Sequence, residues 1–220
     1  EDGLVSYAEA GLFEPATWGA AARAPEGSGG RGTTLFLSRR DQHWVLRHFH
    51  RGGLPGRLIS DRYLWLGEAR TRSFREWELL ADLHERGFPV PRPVAACYRR
   101  SGVFYTADLI TVRIPGVESL PARLRRAPAD AGLWSAVGQC IARFHRAGVF
   151  HADLNAHNIQ VDDANRVFLL DFDRGRIRAD GRGWRVANLT RLQRSLRKLS
   201  RDGRVPFTER EWRWLLDGYA

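Results

Sequence analysis

His151-Ala152-Asp153-Leu154-Asn155-Ala156-His157-Asn158, followed by Leu169-Leu170-Asp171-Phe172-Asp173, decides how this chain is read. Asn158 stands five positions after Asp153 and Asp171 thirteen after Asn158, with the apolar run Val167-Phe168-Leu169-Leu170 leading into the last aspartate. Two carboxylates and a carboxamide in this order match the needs of phosphoryl transfer. That reaction asks little covalent work of a protein; the acceptor hydroxyl must be positioned and phosphate charge neutralised. Asp153 is the candidate to receive or orient the acceptor's proton. Asn158 and Asp171 are the candidate Mg²⁺ ligands, because hard oxygen donors with phosphate oxygens completing the shell suit that ion. Alone, Asp-Leu-Asn would read as a turn or helix cap and Asp-Phe-Asp as a strand end. The order and both spacings together carry the reading.

This is the layout H-x-D-x-x-x-x-N followed by D-F-G. It predicts an α+β, two-lobed protein-kinase-like fold that uses ATP and Mg²⁺, with an N-terminal antiparallel β-sheet lobe carrying one main helix and a mostly helical C-terminal lobe. Residues 1–110 are expected to form the ATP-binding lobe and 111–220 the catalytic and acceptor-binding lobe, together one kinase-like domain, with the boundary near Ile110 to Pro115. By analogy His151 braces the loop without touching substrate, and Asn155 joins Asp153 and His151 in the catalytic set.

A length of 220 residues suits one such domain, and 43% hydrophobic residues fit a globular chain. No apolar run approaches the roughly 20 residues that span a bilayer. The acidic start Glu1-Asp2-Gly3 is unlike a signal peptide. Since the chain contains no Met, a trimmed or partial start is expected. Cys97 and Cys140 lack metal-ligand spacing and read as ordinary buried thiols of a cytosolic protein. The formal net charge is +10, and Lys198 is the only lysine among 35 basic residues. Arginine grips phosphate through a planar fork, so an anionic partner is expected: nucleic acid, an anionic membrane surface or a phosphorylated substrate on charge alone.

Glu26 to Thr34 is rich in glycine and precedes the strand-like Leu35-Phe36-Leu37, so Gly29, Gly30, Arg31 and Gly32 are candidates to bring backbone N–H groups to phosphate. His43 to Phe49 reads as the paired strand. Arg47 falls where V-A-I-K would put its phosphate-binding lysine, a place that no lysine of this chain can fill. A helix from about Ser73 to Arg86, with Phe74, Trp77, Leu80 and Leu83 on one face and Gly87 closing it, offers Glu76 as the ion-pair partner of Arg47, with Glu78 as the alternative. Val103 to Ile110 reads as a strand reaching a hinge, with Leu109 and Ile110 as candidate adenine contacts. A helix is expected from about Gly132 to Ala147, in which His145 is a packed residue. Asn188 to Arg201 reads as a basic amphipathic helix with Leu189, Leu192, Leu196 and Leu199 on one side. Either it is a core helix with a solvated charged face, or its charges rest on anionic lipid at about 1 kcal/mol per basic residue. Thr208 with Glu211 is a capping-box pattern opening a last helix that buries Trp212, Leu215 and Leu216.

Trp44 to Leu54, Asp108-Leu109-Ile110-Thr111, His151 to Ile159 and Asp171-Phe172-Asp173-Arg174-Gly175 together resemble the family of 3-deoxy-D-manno-octulosonic acid (Kdo) kinases of lipopolysaccharide assembly. The resemblance runs from about Gly29 to the final helix. It implies ATP-dependent phosphorylation of the 4-hydroxyl of Kdo on a lipid A precursor, by a peripheral protein at the cytoplasmic face of the bacterial inner membrane. Its implied partners are that Kdo-bearing precursor and an anionic membrane surface met by Arg174 to Arg178 and Asn188 to Arg201, with no nucleic acid; it leaves the oligomeric state open. Ala152 stands where H-R-D has arginine, which removes the usual docking partner of a phosphorylated activation loop. Asp173 replaces the glycine of D-F-G, and no A-P-E segment follows. A small headgroup therefore suits the acceptor better than a polypeptide. A heptose kinase of the lipopolysaccharide core would keep every catalytic residue, an aminoglycoside- or choline-type phosphotransferase would favour acidic pockets, and a non-catalytic kinase-shaped protein could bind anionic lipid or nucleic acid.

Overall fold

The computed structural model describes residues 11–24, 34–50, 61–127, 130–179 and 181–220. Gly29, Gly30, Arg31 and Gly32, the expected phosphate loop, lie outside the described residues, as does Arg51 to Leu54. The chain divides into two compact units, Glu1–Asp82 with Pro91–Arg113, and Leu83–Val90 with Ile114–Ala220.

The first unit contains α1 (Pro15–Trp18), β1 (Ala22–Arg23), β2 (Thr34–Arg39), β3 (Gln42–His48), β4 (Tyr63–Leu64), most of α2 (Arg72–Glu85), β5 (Pro93–Ser101) and β6 (Phe104–Val112). The strands form one antiparallel sheet in the order β1-β2-β3-β6-β4, with β5 also on β6. β6 is therefore central: β5 pairs along it from Phe104 to Thr111, and β3 pairs with it from Asp108 to Val112. Burial on both faces explains why Ala107, Asp108, Leu109 and Ile110 are all buried in succession. On one face Ile110 packs with Phe13, Leu37, Leu46 and Ala95. Leu109 and Ile110 thus sit in the sheet interior, with ladder partners on β3 and β5 and side chains 2% and 0% exposed.

Asp108, also buried, is a polar centre of this unit. Its Oδ1 meets His48 Nδ1 at 2.7 Å, and its Oδ2 accepts from Arg99 Nη1 at 2.7 Å. The hydrogen bond to Asp108, reinforced by its charge, raises the His48 pKa above its ordinary value. In α2 the buried residues are Ser73, Glu76, Leu79, Leu80 and Leu83, whereas Phe74 and Trp77 are half-buried. The buried stripe is thus rotated from the expected one, because Glu76 turns inward to a partner. Cys97 is half-buried, unlike Cys140, which is buried as expected.

The second unit adds β7 (Val117–Ser119), α3 (Leu120–Arg126), α4 (Ala131–Arg146), β8 (Val149–Phe150), β9 (Ile159–Asp162), β10 (Val167–Leu169), β11 (Arg176–Ile177), α5 (Arg182–Arg201) and α6 (Glu209–Tyr219). Its small sheets, β10-β9-β7 and β11-β8, flank the quoted loop. A sheet unit with one main helix, then a mostly helical unit, is the α+β protein-kinase-like fold expected from the motif. Asp130 caps α4 by accepting from Leu133 N at 2.9 Å, and the Thr208/Glu211 capping box opens α6. Trp212 and Leu215 are buried as expected, but Leu216 is half-buried. α5 begins six residues before the expected start at Asn188. Among the described residues no helix is long and apolar enough to cross a membrane.

Helices α4 and α6 touch through two glycines. A Cβ on Gly138 would stand 2.0 Å from the Leu215 carbonyl oxygen, and one on Gly218 would stand 2.2 Å from that of Ser135. Both obstacles are backbone, which cannot swing aside as a side chain can. Gly138→Ala should destabilise the protein by about 1–3 kcal/mol, read as a lower melting temperature. Gly183→Ala on α5, where nothing lies within 4 Å, should leave that temperature at least as high. An unchanged melting temperature for Gly138→Ala would contradict the close crossing.

Candidate active site

The quoted loop lies wholly in the second unit and is built by its own side chains. Asn155 caps the 3₁₀ turn Ala156–Asn158, its Oδ1 accepting from His157 N at 2.9 Å and Asn158 N at 3.2 Å. Its Nδ2 donates to both the backbone oxygen and Oδ2 of Asp153, each at 3.1 Å. Asn158 Nδ2 donates to the same backbone oxygen at 3.0 Å, which leaves its Oδ1 as the atom to offer a cation. Asp153 itself is half-exposed, as a group that must meet an acceptor should be.

His151 joins this loop to the Asp171 segment. Its ring is buried; Nε2 donates to the Leu170 carbonyl at 2.9 Å, and Nδ1 accepts from Asp153 N at 3.2 Å. That pair of roles defines the neutral Nε2–H tautomer. Leu170 N in turn donates to the Asn158 carbonyl at 2.9 Å, so Asp171 follows directly on a residue tied to the turn carrying Asn158. Asp171 is held at φ 63, and its Oδ1 accepts from Asp173 N at 3.4 Å. Phe172, 1% exposed, packs against His151 and Phe144. Thus Asp153, Asn155, Asn158, His151 and Asp171 belong to one bonded assembly. Among the described residues no group of three or more His, Cys, Asp or Glu is placed to hold a metal ion. A site of one amide oxygen and one carboxylate, completed by phosphate oxygens, asks for no third such residue and fits Mg²⁺.

Three further residues reach the loop, all from α5. Asn188 brackets His151, donating from Nδ2 to its carbonyl at 2.9 Å and accepting its N–H on Oδ1 at 3.3 Å. Ser195 Oγ accepts from Ala156 N at 3.2 Å, and Arg191 Nη1 donates to Asp153 Oδ1 at 3.0 Å. Positions 188, 191 and 195 share one helix face. The expected apolar side of Leu189, Leu192, Leu196 and Leu199 did not include them, and Leu189 is half-buried while the other three leucines are buried. The buried register is Asn188, Leu192, Leu196 and Leu199. An asparagine four residues before Leu192, in phase with the leucines, was the available signal. The basic face is also partly engaged, since Arg197 pairs with Glu209 at 2.6 Å.

Asn188 Oδ1 also meets His145 Nε2 at 3.3 Å, while His145 Nδ1 meets the Tyr219 hydroxyl at 2.8 Å. Burial pushes the His145 imidazole down to about 4 and lowers that of His151 as well. A base depressed in the folded state contributes stability that is complete above its unfolded value near 6.5 and lost as pH falls towards the folded value. Thermal stability should therefore drop between pH 6.5 and about 4, by about 3 kcal/mol for His145 alone. His48 does not mask this: its support is complete below pH 6.5 and fades only as pH rises through its raised value. His145→Gln should shallow the acid slope; a slope identical to native would contradict the assignment.

In the first unit Arg47 on β3 donates through Nη2 to Glu76 Oε2 of α2, while Glu78 is exposed. The guanidinium also stacks 4.4 Å from the centre of the Phe49 ring. The Glu76 side chain is 2% exposed and that of Arg47 22%, so the pair is fixed within the unit while part of the cation faces solvent.

The sequence pattern of the lipopolysaccharide kinase (Kdo/WaaP) family matches residues 15–219. The 3-deoxy-D-manno-octulosonic acid kinase of Stenotrophomonas maltophilia (strain K279a) is 48% identical over 212 residues, which cover 96% of this chain and 84% of that protein. The protein of the same name from Xanthomonas euvesicatoria pv. vesicatoria (strain 85-10) is 52% identical over 192 residues, 87% of this chain and 76% of that one. Among solved structures, the Cydia pomonella granulovirus kinase PK-1 matches with a TM-score of 0.48 at 11% identity, over 74% of this chain and 55% of that one. The chain belongs to the lipopolysaccharide kinase (Kdo/WaaP) family and is a kinase.

Proposed function

We propose that this kinase transfers the γ-phosphoryl group of ATP to the 4-hydroxyl of a Kdo residue on a lipid A precursor. The observation that carries the reading is the bonded assembly of Asp153, Asn158 and Asp171 through His151, in a chain about half identical to proteins named 3-deoxy-D-manno-octulosonic acid kinase. Asp153 orients the acceptor hydroxyl and takes its proton as the new P–O bond forms. Asn155 and His151 hold Asp153 in place. Asn158 and Asp171 hold Mg²⁺, which when bound neutralises charge on the phosphates. Arg47, steadied by Glu76, supplies a cation for the phosphates of ATP where other kinases use lysine.

The anionic acceptor and an anionic membrane surface suit the run Arg174, Arg176 and Arg178. Ile177 within that run and Val186 on α5 are 50% and 60% exposed, apolar groups that basic residues would bring to a headgroup layer. A peripheral position at the cytoplasmic face of the inner membrane follows from such an acceptor, and no nucleic-acid partner is required.

The test is to isolate the product formed from ATP, Mg²⁺ and a Kdo-bearing lipid A precursor and to locate its phosphate by phosphorus–proton correlation. Phosphate on the Kdo 4-hydroxyl is expected. Phosphate on another sugar, with a heptose-bearing acceptor preferred, would replace this reading by the heptose-kinase one. ATP left unused with every acceptor would overturn the catalytic assignment.

A further inference from the structure

We propose that Arg191 binds the carboxylate of the acceptor sugar, one guanidinium spanning that carboxylate and Asp153. The inference rests on the reading of the acceptor as Kdo, which is a sugar acid.

Folding does not account for the Arg191–Asp153 pair. Its two side chains are 48% and 49% exposed, and an ion pair in that setting contributes about 0–1 kcal/mol. Yet the helix segment that carries the arginine is held against the loop. Asn188 and Ser195, about one turn to either side on α5, are bonded to the main chain of the catalytic loop, so the root of Arg191 is fixed relative to Asp153. One donor, Nη1, reaches Asp153 Oδ1. A guanidinium carries five N–H donors in a planar fork, and the remaining edge has the geometry that receives a carboxylate in two parallel bonds.

Charge gives the arrangement its purpose. An anionic acceptor approaching Asp153 meets a like charge, which a cation shared by both carboxylates offsets; a neutral sugar would need no such device. Connectivity fits as well. In a 3-deoxy-2-ulosonic acid the carbon next to the anomeric centre bears no hydroxyl, so the 4-hydroxyl is the first free hydroxyl along the chain from the carboxylate. Anchoring the carboxylate beside Asp153 therefore brings that hydroxyl towards it. Ala152, Leu154 and Ala156 of the loop carry no charge, and Asn155 offers Asp153 only a neutral amide. Among the described residues the cation bonded to Asp153 is Arg191, from α5.

The experiment compares the native protein with Arg191→Gln on a Kdo acceptor and on its C1 methyl ester, measuring kcat and KM for both acceptors and KM for ATP. The native protein should prefer the acid over the ester by roughly 10- to 100-fold in kcat/KM, the worth of hydrogen bonds to a charged group. Arg191→Gln should lose that preference, chiefly through a higher KM for the acid, with KM for ATP unchanged. Equal native turnover of acid and ester would overturn the inference while leaving Kdo phosphorylation standing. So would a variant that loses kcat equally on both acceptors, since Arg191 would then act only through Asp153. A native protein that phosphorylates neither acceptor would overturn the Kdo reading and this inference with it.

Discussion

Asp153→Ala should lower turnover by roughly 10²- to 10⁴-fold while thermal unfolding stays close to native. The size follows from removing a group that accepts a proton in the transition state. Retention of the fold follows from where the loop's bonds go. Asn155 Nδ2 and Asn158 Nδ2 both donate to the backbone oxygen of Asp153, which alanine keeps. His151 receives the backbone N–H of residue 153, also kept. What the substitution removes is the carboxylate's contact with Asn155 and its exposed ion pair with Arg191, a minor part of stability. Turnover near the native rate would refute the role of Asp153, whereas a collapse of the melting temperature would show that the side chain holds the loop.

Asp171→Asn should abolish Mg²⁺-dependent activity, a loss of at least roughly 10²-fold because a bound metal supplies several kcal/mol of charge stabilisation. Asparagine is the informative replacement. Residue 171 adopts φ 63, a left-handed conformation that asparagine tolerates but that adds about 1–2 kcal/mol of strain for most other residues. Asp171→Ala would therefore mix a local backbone effect with the loss of a ligand. Asparagine keeps an oxygen that can accept from Asp173 N and removes only the charge. The readout is activity against Mg²⁺ concentration, and a titration curve like the native one would reject the assignment.

The kinase-like fold was legible because its chemistry is concentrated in a short stretch. Two fixed spacings, from Asp153 to Asn158 and on to Asp171, with a strand-like run before the last aspartate, marked the loop, and that run is β10, paired with β9. The Arg47–Glu76 pair was legible in part: helical periodicity offered Glu76 and Glu78 on different faces, and only the rotation of α2 in three dimensions chose between them. β1, β4, β5, β7, β8, β9 and β11 were not read. β8 and β11 are two residues long and defined by each other across the intervening chain, whereas β5 follows a proline-rich connector with weak alternation and pairs with the adjacent β6 across Gly102-Val103. Asn188 and Arg191 stayed hidden for a related reason. A buried asparagine and a half-exposed arginine acquire meaning only when α5 packs beside the catalytic loop, and a helix of alternating leucine and arginine reads equally well as a membrane-facing surface. The strand through Leu109 and Ile110 continues two residues beyond its expected end, to Val112, and the division between the units follows Arg113, inside the expected range of Ile110 to Pro115.

The most direct test of the central claim is transfer of label from γ-labelled ATP in the presence of Mg²⁺, with Kdo-bearing and heptose-bearing acceptors supplied together to the native protein and to Asp153→Ala. The account predicts label on the Kdo acceptor with the native protein and its loss with the variant. Label on the Kdo acceptor that persists undiminished in Asp153→Ala would contradict the assigned chemistry, and label on the heptose acceptor alone would contradict the assigned substrate.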